Sequence, residues 1–403
     1  MDNQYWLRNV LLESGFVYDG NLVAGTKTKL ENILIKDGLI VDVLSGSIPD
    51  DGLPVVDARG LLALPPFHEA HIHLDKGHYG GPWKACVPFT SVFDRIEEEK
   101  GFLKEALAYT KDRAEKQLAL ISSYGTTFAR VHCNLDPIVG TGNIEVVGEA
   151  LEKFKSKMDF EIVAFPQHGL LRSDSVALMK QAMRKGARVV GGVDPATIDN
   201  DIESSLEKMM DIAVEFDADI DMHLHDGGTL GIYTIKRLAA MAEQAGWRGR
   251  VNISHAYCLG DSSMSEVIDV AEMMAGLGIS VATTAPIDMP APPIPLLRDK
   301  GVRVNVITDS LNDHWTPFGN GDLLARVSRM AEKFAMIDEF SLNRALGLVT
   351  EGKMPLDSEG KRIWPKVGDE ASMVLVEATC SAEAVSRVSK RKSVIYRGRI
   401  LNA

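Results

Sequence analysis

Paired histidines near the start of the chain raise the possibility of a metal site. The stretch FHEAHIHLDKGHYGG at 67–81 contains four of the ten histidines, and one isoleucine separates His71 from His73. On a β-strand, residues i and i+2 point to the same face about 6.5–7 Å apart, so both imidazoles can reach one ion. His223 and Asp309 would complete a site with a position left open for water. Such ligands suit zinc or iron, because magnesium and calcium prefer oxygen alone.

The composition is that of an acidic globular protein. The 403 residues include 44 Lys and Arg against 56 Asp and Glu, a net charge of −12, with no basic run long enough to form a stripe. This argues against nucleic acid or an anionic membrane as partner. The four cysteines form no CxxC pair and indicate reduced thiols. With no secretory signal and no apolar run of about eighteen residues, we expect a cytoplasmic protein.

Both ends of the chain have the pattern of short strands. Residues 1–60 contain WLRNVLLESG, NILIKDGLIVDVLSG and LPVVDARG, separated by Asp-Gly and Ser-Gly turns. The tail carries ASMVLVEA and SVIYRGRIL. We therefore predict one small β-sandwich module built from residues 1–60 and 356–403.

The residues between these ends, 61–355, have a different period. Apolar runs alternate with amphipathic stretches such as ESSLEKMMDIAVEF and SEVIDVAEMMAGL. The eight runs are GLLALPPFHEAHIH, GTTFARVHC, FEIVAFPQH, ARVVGGVDP, ADIDMHLHD, RVNISHAY, GISVATTAP and VRVNVITDS. Eight such repeats predict an α/β fold, a (β/α)8 TIM-like barrel. The competing fold, a doubly wound sheet, typically has a GxGxxG turn after an early strand, and none occurs there.

The polar residues stand where such a barrel places its chemistry, at the carboxyl ends of the strands. All ten histidines lie in the predicted barrel and none in the end module. The residues at these ends are His71 and His73 (first run), His132 (second), His168 (third), His223 and His225 (fifth), His255 (sixth) and Asp309 (eighth). The fourth run ends VVGGVDPAT, without a lysine that could bridge a second ion, so we predict one metal ion per chain.

These motifs resemble the amidohydrolase superfamily in its cytosine deaminase-like branch. The resemblance rests on HIHLD, FPQHG, DMHLHD, SHAY and TDSLNDHW, and on the tail KVGDEASMVLVEA. Within the branch, HLDK, GGVDPAT, SHAYC and PFGNGD are similar to stretches of the N-isopropylammelide amidohydrolases. The resemblance implies hydrolytic release of ammonia or an alkylamine from an aminopyrimidine or triazine ring. It also implies a homo-oligomer.

The resemblance also implies roles for single residues. The metal ligands would be His71, His73, His223 and Asp309, around one divalent ion, with zinc expected first and iron or manganese as alternatives. His255 would lie beside the activated water and the developing oxyanion. Gln167 would hydrogen-bond the amide edge of the ring, and Trp315 would form a wall of the pocket.

Three positions depart from the cytosine deaminase pattern. Asp226 stands where that enzyme has a glutamate, Ser310 where it has a second aspartate, and Lys76 where it has a neutral residue. These differences favour the ammelide-like enzymes. Ser310 is kept as a candidate substrate-binding residue.

The mechanism that follows is hydrolysis at a ring carbon. A divalent ion lowers the pKa of bound water, Asp309 or His255 accepts the proton, and hydroxide adds to the carbon that bears the amine. Lys76 and His225 are candidates to stabilise charge on the ring or to donate a proton.

The roles of two carboxylates, and the class of reaction, each have more than one interpretation. Asp226 would either transfer a proton or orient its neighbours, and Asp194 would either bind substrate or form a turn. A cytosine deaminase proper, a lyase or isomerase on the same scaffold, and a non-catalytic protein remain alternatives.

Overall fold

The computed structural model describes residues 4–401, and no helix among them is long and apolar enough to cross a membrane. Its strands are β1 (Gln4–Asp19), β2 (Leu22–Lys36), β3 (Leu39–Leu44), β4 (Val55–Asp57), β5 (Leu62–Leu64), β6 (Phe67–His73), β7 (Thr126–Asn134), β8 (Asp159–Phe165), β9 (Val189–Val193), β10 (Asp219–Leu224), β11 (Val251–His255), β12 (Ser280–Thr283), β13 (Val304–Val306), β14 (Met373–Val376), β15 (Arg391–Tyr396) and β16 (Arg399–Leu401).

The helices alternate with the middle strands. They are α1 (Val92–Lys100), α2 (Leu103–Ser123), α3 (Gly142–Phe154), α4 (Val176–Arg184), α5 (Ile202–Phe216), α6 (Gly228–Gln244), α7 (Cys258–Asp261), α8 (Met264–Leu277), α9 (Ile294–Asp299), α10 (Leu323–Lys333), α11 (Glu339–Ala345) and α12 (Ser381–Arg387), with a 3-10 turn at Leu346–Val349. Local sequence fixes their ends. Asp201 caps α5 by accepting from the Ser204 N–H at 3.0 Å, and Gly278 ends α8 with a φ of +69°.

The eight predicted apolar runs each contain one strand of a parallel sheet. Its order is β13-β12-β11-β10-β9-β8-β7-β6. The sheet closes where Ile72 pairs with Asp309, next to the last strand. The alternating helices and this closure confirm the predicted TIM-like barrel and exclude an open doubly wound sheet.

The two ends of the chain form the predicted small β module. Its sheet has the order β16-β15-β14-β5-β1-β2-β3, with β4 paired to β1. A hydrophobic cluster that includes Leu7, Ile33, Trp364 and Ile395 lies on it. The alternation of apolar and polar residues, from which hairpins were predicted, therefore reflects a sheet with one buried and one exposed face.

The first predicted run is divided between the two sheets. Leu62–Leu64 pairs with β14 in the small sheet, whereas Phe67–His73 opens the barrel. Pro65 and Pro66 stand between them and have no N–H to donate to a sheet. The proline pair therefore marks where the chain leaves one sheet for the other.

By contacts, the described residues fall into two units. One contains residues of 1–69, 120–128 and 322–403, and the other contains 70–119 and 129–321. The limits predicted from the sequence, at 60/61 and 355/356, do not coincide with these units. Whether those limits mark domains that fold independently stays a prediction.

Candidate active site

Five of the predicted site residues meet at one end of the barrel. His71 and His73 come from the end of β6, His223 from β10 and His255 from β11, and Asp309 follows β13. Three groups with metal-ligand spacing share His71: they are completed by His223 and His255, by His73 and Asp309, and by His132 and Asp221. Every ligand atom in each group lies within 4.8 Å of the others. The parallel strands bring these side chains together because their carboxyl ends share one rim.

Three distances between ligand atoms are close to those expected around one metal ion. With metal–ligand bonds of about 2.0–2.1 Å, ligand atoms of a tetrahedral zinc lie about 3.3 Å apart. Nε2 of His73 lies 3.2 Å from Nε2 of His223. Oδ1 of Asp309 lies 3.4 Å from Nε2 of His71 and 3.6 Å from Nε2 of His73. These three distances link the four predicted ligands pairwise, from His223 through His73 and Asp309 to His71.

The ionisation of these groups also suits a cation. Burial and the surrounding histidines hold the pKa values of His73, His223 and His255 well below the usual value. Burial alone would raise the pKa of Asp309, but the adjacent imidazoles of His71, His255 and His73 bring it well below the usual range. Neutral imidazoles with free lone pairs and an ionised carboxylate are the forms that a divalent metal binds. The residues present therefore fit a metal ion.

Asp194 and His225 form a hydrogen-bonded pair beside these groups. Oδ2 of Asp194 lies 2.7 Å from Nδ1 of His225, and its other oxygen accepts from the backbone N–H groups of His225 and Asp226. Burial disfavours the imidazolium, yet the Asp194 carboxylate outweighs it and raises the pKa of His225. The His225 ring stacks on that of His255 with centroids 4.4 Å apart. Asp194 is thus occupied in orienting His225, which favours a positioning role over direct substrate contact.

Lys76, Gln167 and Trp315, all predicted to face the substrate, lie together. Nζ of Lys76 donates to Oε1 of Gln167 at 3.1 Å and lies 5.8 Å from the centroid of the Trp315 ring. Because Lys76 occupies the carbonyl oxygen of Gln167, the amide NH2 is left as a donor. The three side chains therefore offer hydrogen-bond donors beside a flat aromatic face.

Asp226 and Ser310, two other predicted residues, make contacts of their own. The Asp226 carboxylate contacts the hydroxyl of Thr197, and burial and nearby Asp194 raise its pKa. Ser310 is buried at the start of the loop that follows β13, and its backbone N–H donates to the carbonyl of Thr308 at 2.9 Å. The contacts of Asp226 favour the orienting alternative. Only its place next to Asp309 supports a role for Ser310.

A buried carboxylate on α1 was missed from the sequence. Glu99 is fully buried, and its side chain lies 3.0 Å from Nε2 of His168, 3.2 Å from Nδ2 of Asn134 and 3.8 Å from Nε2 of His314. Burial opposes its charge, but the hydrogen bond from His168 and the charge of His314 lower the pKa of Glu99. In the sequence, the position of Glu99 on the same helical face as Arg95 and Ile96 could have indicated that it is buried.

Three residues at strand ends have left-handed backbones although none is glycine. The φ angles are +34° at Asp194, +71° at His255 and +66° at Asp309. Each such residue costs on the order of 1 kcal/mol or more. All three belong to the group of site residues, so the strain coincides with the place where side chains must turn inward from the ends of strands.

The barrel and its cluster of histidines define a class of protein in which polar side chains at the strand ends form an active site. The sequence profile of the amidohydrolase family matches residues 105–401. The chain belongs to this family. Two curated relatives and one solved structure extend the match over nearly the whole chain.

The protein named "Uncharacterized protein YahJ" of Escherichia coli (strain K12) is 42% identical, over 99% of this chain and 88% of that protein. N-isopropylammelide isopropyl amidohydrolase of Pseudomonas sp. (strain ADP) is 30% identical, over 98% of this chain and 96% of that enzyme. The crystal structure of N-isopropylammelide isopropylaminohydrolase from Burkholderia multivorans ATCC 17616 has a TM-score of 0.87 and 31% identity, and the match covers 99% and 98% of the two chains. The family resemblance stated from the motifs is confirmed.

Proposed function

We propose that this protein is a metal-dependent hydrolase that releases ammonia or an alkylamine from a nitrogen heterocycle, an aminopyrimidine or a triazine. The observation that carries the proposal is the run of close contacts that joins His223 to His73, His73 to Asp309 and Asp309 to His71, with ligand atoms 3.2, 3.6 and 3.4 Å apart. The similarity to two enzymes named for N-isopropylammelide supports the substrate class.

In this proposal the metal is held by His71, His73, His223 and Asp309. A bound divalent cation lowers the pKa of a water molecule toward neutrality. Three of these side chains are buried, whereas the Asp309 side chain is 31% exposed. Asp309 is therefore the ligand that faces the open side of the site, from which water and substrate arrive.

His255 and His225 are the groups that handle the proton. His255 is neutral and buried beside Asp309, so it can accept a proton at its free nitrogen. His225 has a raised pKa beside Asp194 and can hold a proton that passes to the departing nitrogen. The stacked rings of the two histidines give the acceptor and the donor adjacent positions. Asp226, a further catalytic candidate from the sequence, would act only by orienting this strand end.

Lys76 and Gln167 would select the ring. The ammonium of Lys76 and the amide NH2 of Gln167 are donors, so together they suit the oxygen-bearing edge of a hydroxylated triazine or an oxopyrimidine. Trp315 would stack on the flat ring. A ring that bears oxygen substituents on this edge is favoured over one that presents amino groups there.

The experiment is a substrate screen with zinc-loaded protein that measures ammonia and alkylamine release. Cytosine, isocytosine, ammelide and N-alkyl triazines make up the panel, and the His73→Ala variant is the control for metal dependence. We expect amine release from at least one ring, loss of activity after prolonged dialysis against a chelator, and recovery with zinc, iron or manganese. Full activity after chelation would contradict the mechanism, and conversion without any released amine would favour the lyase or isomerase alternative.

The proposal also includes the cellular location and the oligomeric state of the enzyme. The four cysteines are free thiols, from the half-buried Cys86 to the buried Cys133, Cys258 and Cys380, as expected in a reducing cytoplasm. We further propose a homo-oligomer. Sedimentation of the purified protein tests that state directly.

A further inference from the structure

Behind His71, a chain of buried polar side chains leads away from the candidate metal site. Nδ1 of His71 lies 2.8 Å from the hydroxyl oxygen of Ser254, which donates to Oδ1 of Asp221 at 2.7 Å. The other oxygen of Asp221 accepts from Nη1 of Arg130 at 2.9 Å and from Nδ2 of Asn252 at 3.0 Å. His71, Ser254 and Asp221 are each 0% exposed. No water can therefore substitute for a missing partner here without rearrangement.

Counting donors fixes where the protons lie. An ionised carboxylate only accepts, and a serine hydroxyl has a single hydrogen. The hydroxyl hydrogen of Ser254 points to Asp221, so the Ser254 oxygen must accept from His71. His71 therefore carries its proton on Nδ1, which leaves a lone pair on Nε2, the atom 3.4 Å from Oδ1 of Asp309.

We propose that Ser254 and Asp221 are positioning residues that hold His71 in the Nδ1–H tautomer and aim its Nε2 at the metal. This inference rests on the metal site of the proposed function and adds a role for residues that do not touch the ion. A hydrogen bond to the second ring nitrogen of a ligating histidine fixes the ring and makes the ligand more basic.

The isosteric variant Asp221→Asn separates this role from plain packing. Arg130 and Asn252 both donate to the same carboxylate oxygen, so the carbonyl oxygen of the new amide must occupy that position. Its NH2 then faces Ser254 and donates to it. The Ser254 hydroxyl must turn its hydrogen toward His71, which is forced into the Nε2–H tautomer. No atom is removed, yet the ligand lone pair is lost.

A matched control lies at the edge of the same network. Ser280 on β12 donates to Oδ1 of Asn252 at 2.9 Å and is 3% exposed. The Ser280→Ala variant removes another buried hydroxyl, one that makes no hydrogen bond to Ser254 or His71. The Ser254→Thr variant keeps a hydroxyl at the critical position and tests rescue.

The first measurement is the zinc dissociation constant of each full-length protein, by competition with a chromophoric chelator, with thermal unfolding as the check on folding. We expect Ser254→Ala to weaken zinc binding about 10- to 100-fold and Asp221→Asn to weaken it at least as much. Ser280→Ala and Ser254→Thr should stay within about threefold of the parent. Unchanged binding in both Ser254→Ala and Asp221→Asn would overturn the inference, as would an equal loss in Ser280→Ala.

The second measurement reads the tautomer in metal-free protein, by NMR of 15N-histidine-labelled samples. We expect an exchange-protected Nδ1–H signal of His71 in the parent and in Ser280→Ala, and its loss in Ser254→Ala and Asp221→Asn. A signal that persists in Asp221→Asn overturns the tautomer argument even where those variants bind zinc poorly. Parent protein that shows the signal but binds no zinc would instead contradict the metal site of the proposed function.

Discussion

The backbone N–H of His73 donates to the carbonyl oxygen of Asp309 at 2.7 Å, and the N–H of Asp309 donates to the carbonyl of His71 at 3.2 Å. These two hydrogen bonds close the barrel between its first and last strands. The same residues carry three of the four proposed metal ligands. The hydrogen bonds that close the barrel therefore also hold three ligands together. A change that breaks them should separate these ligands as well.

Replacement of His73 by Ala should lower bound zinc to well below one ion per chain. The reason is that Nε2 of His73 lies within 3.6 Å of ligand atoms of both His223 and Asp309. Elemental analysis after dialysis measures the occupancy. His68→Ala is the control, because the His68 ring stacks on Phe128, with centroids 4.1 Å apart, on the opposite face of the same strand. Normal occupancy in His73→Ala would remove that residue from the ligand set.

Gln167→Glu should lower kcat/KM about 10- to 100-fold. Glutamate keeps an oxygen for Lys76 but loses the NH2 donor, so a ring oxygen would face a carboxylate in place of an amide. Steady-state kinetics on the best substrate of the screen checks this. The same change at Gln181, exposed on α4, should leave kcat/KM unchanged. An active Gln167→Glu enzyme would indicate that the amide does not contact the ring.

Loss of the buried Glu99 carboxylate should destabilise the protein. Glu99→Ala leaves His168 and Asn134 without their buried acceptor, and we expect about 3 kcal/mol less free energy of unfolding. Urea unfolding of metal-free protein measures it. Glu97→Ala removes a carboxylate of the same helix that is 66% exposed and pairs with Lys100, and we expect a much smaller loss because solvent screens such a pair. Equal costs for the two variants would contradict the buried network.

Acid should destabilise the protein partly through His78. Burial, together with nearby Lys84 and Arg113, lowers the pKa of His78 to about 4, against about 6.5 in an unfolded chain. Between about pH 4 and 6.5, His78 is therefore protonated in the unfolded chain and neutral in the folded protein. Stability is therefore complete above pH about 6.5 and falls as the pH decreases toward 4, by up to about 1.4 kcal/mol per pH unit from this residue.

The test compares the parent with His78→Gln, which keeps an acceptor for Arg113. The free energy of unfolding from urea titrations at several pH values gives the slope for each protein. We expect the slope between pH 6 and 4.5 to be smaller in the variant by about one proton, with little difference at pH 8. Parallel curves would show that His78 titrates alike in the folded and unfolded states.

The sequence by itself determined the barrel and the positions of its chemistry. Apolar runs covered on both faces specify parallel strands, and the i, i+2 spacing of His71 and His73 specifies one shared face. These are local properties of the chain, so they can be derived without knowing any contact between distant residues. The residues that end the strands follow from the same pattern, because the carboxyl ends of a parallel barrel share one rim.

Only the tertiary structure decided how the polar groups pair. Asp194 is hydrogen-bonded to His225, Glu99 on α1 to His168, and Ser254 to both His71 and Asp221. Each of these hydrogen bonds joins residues far apart in sequence. Which buried donor meets which acceptor depends on the closure and stagger of the strands, and no periodicity along the chain encodes that relationship.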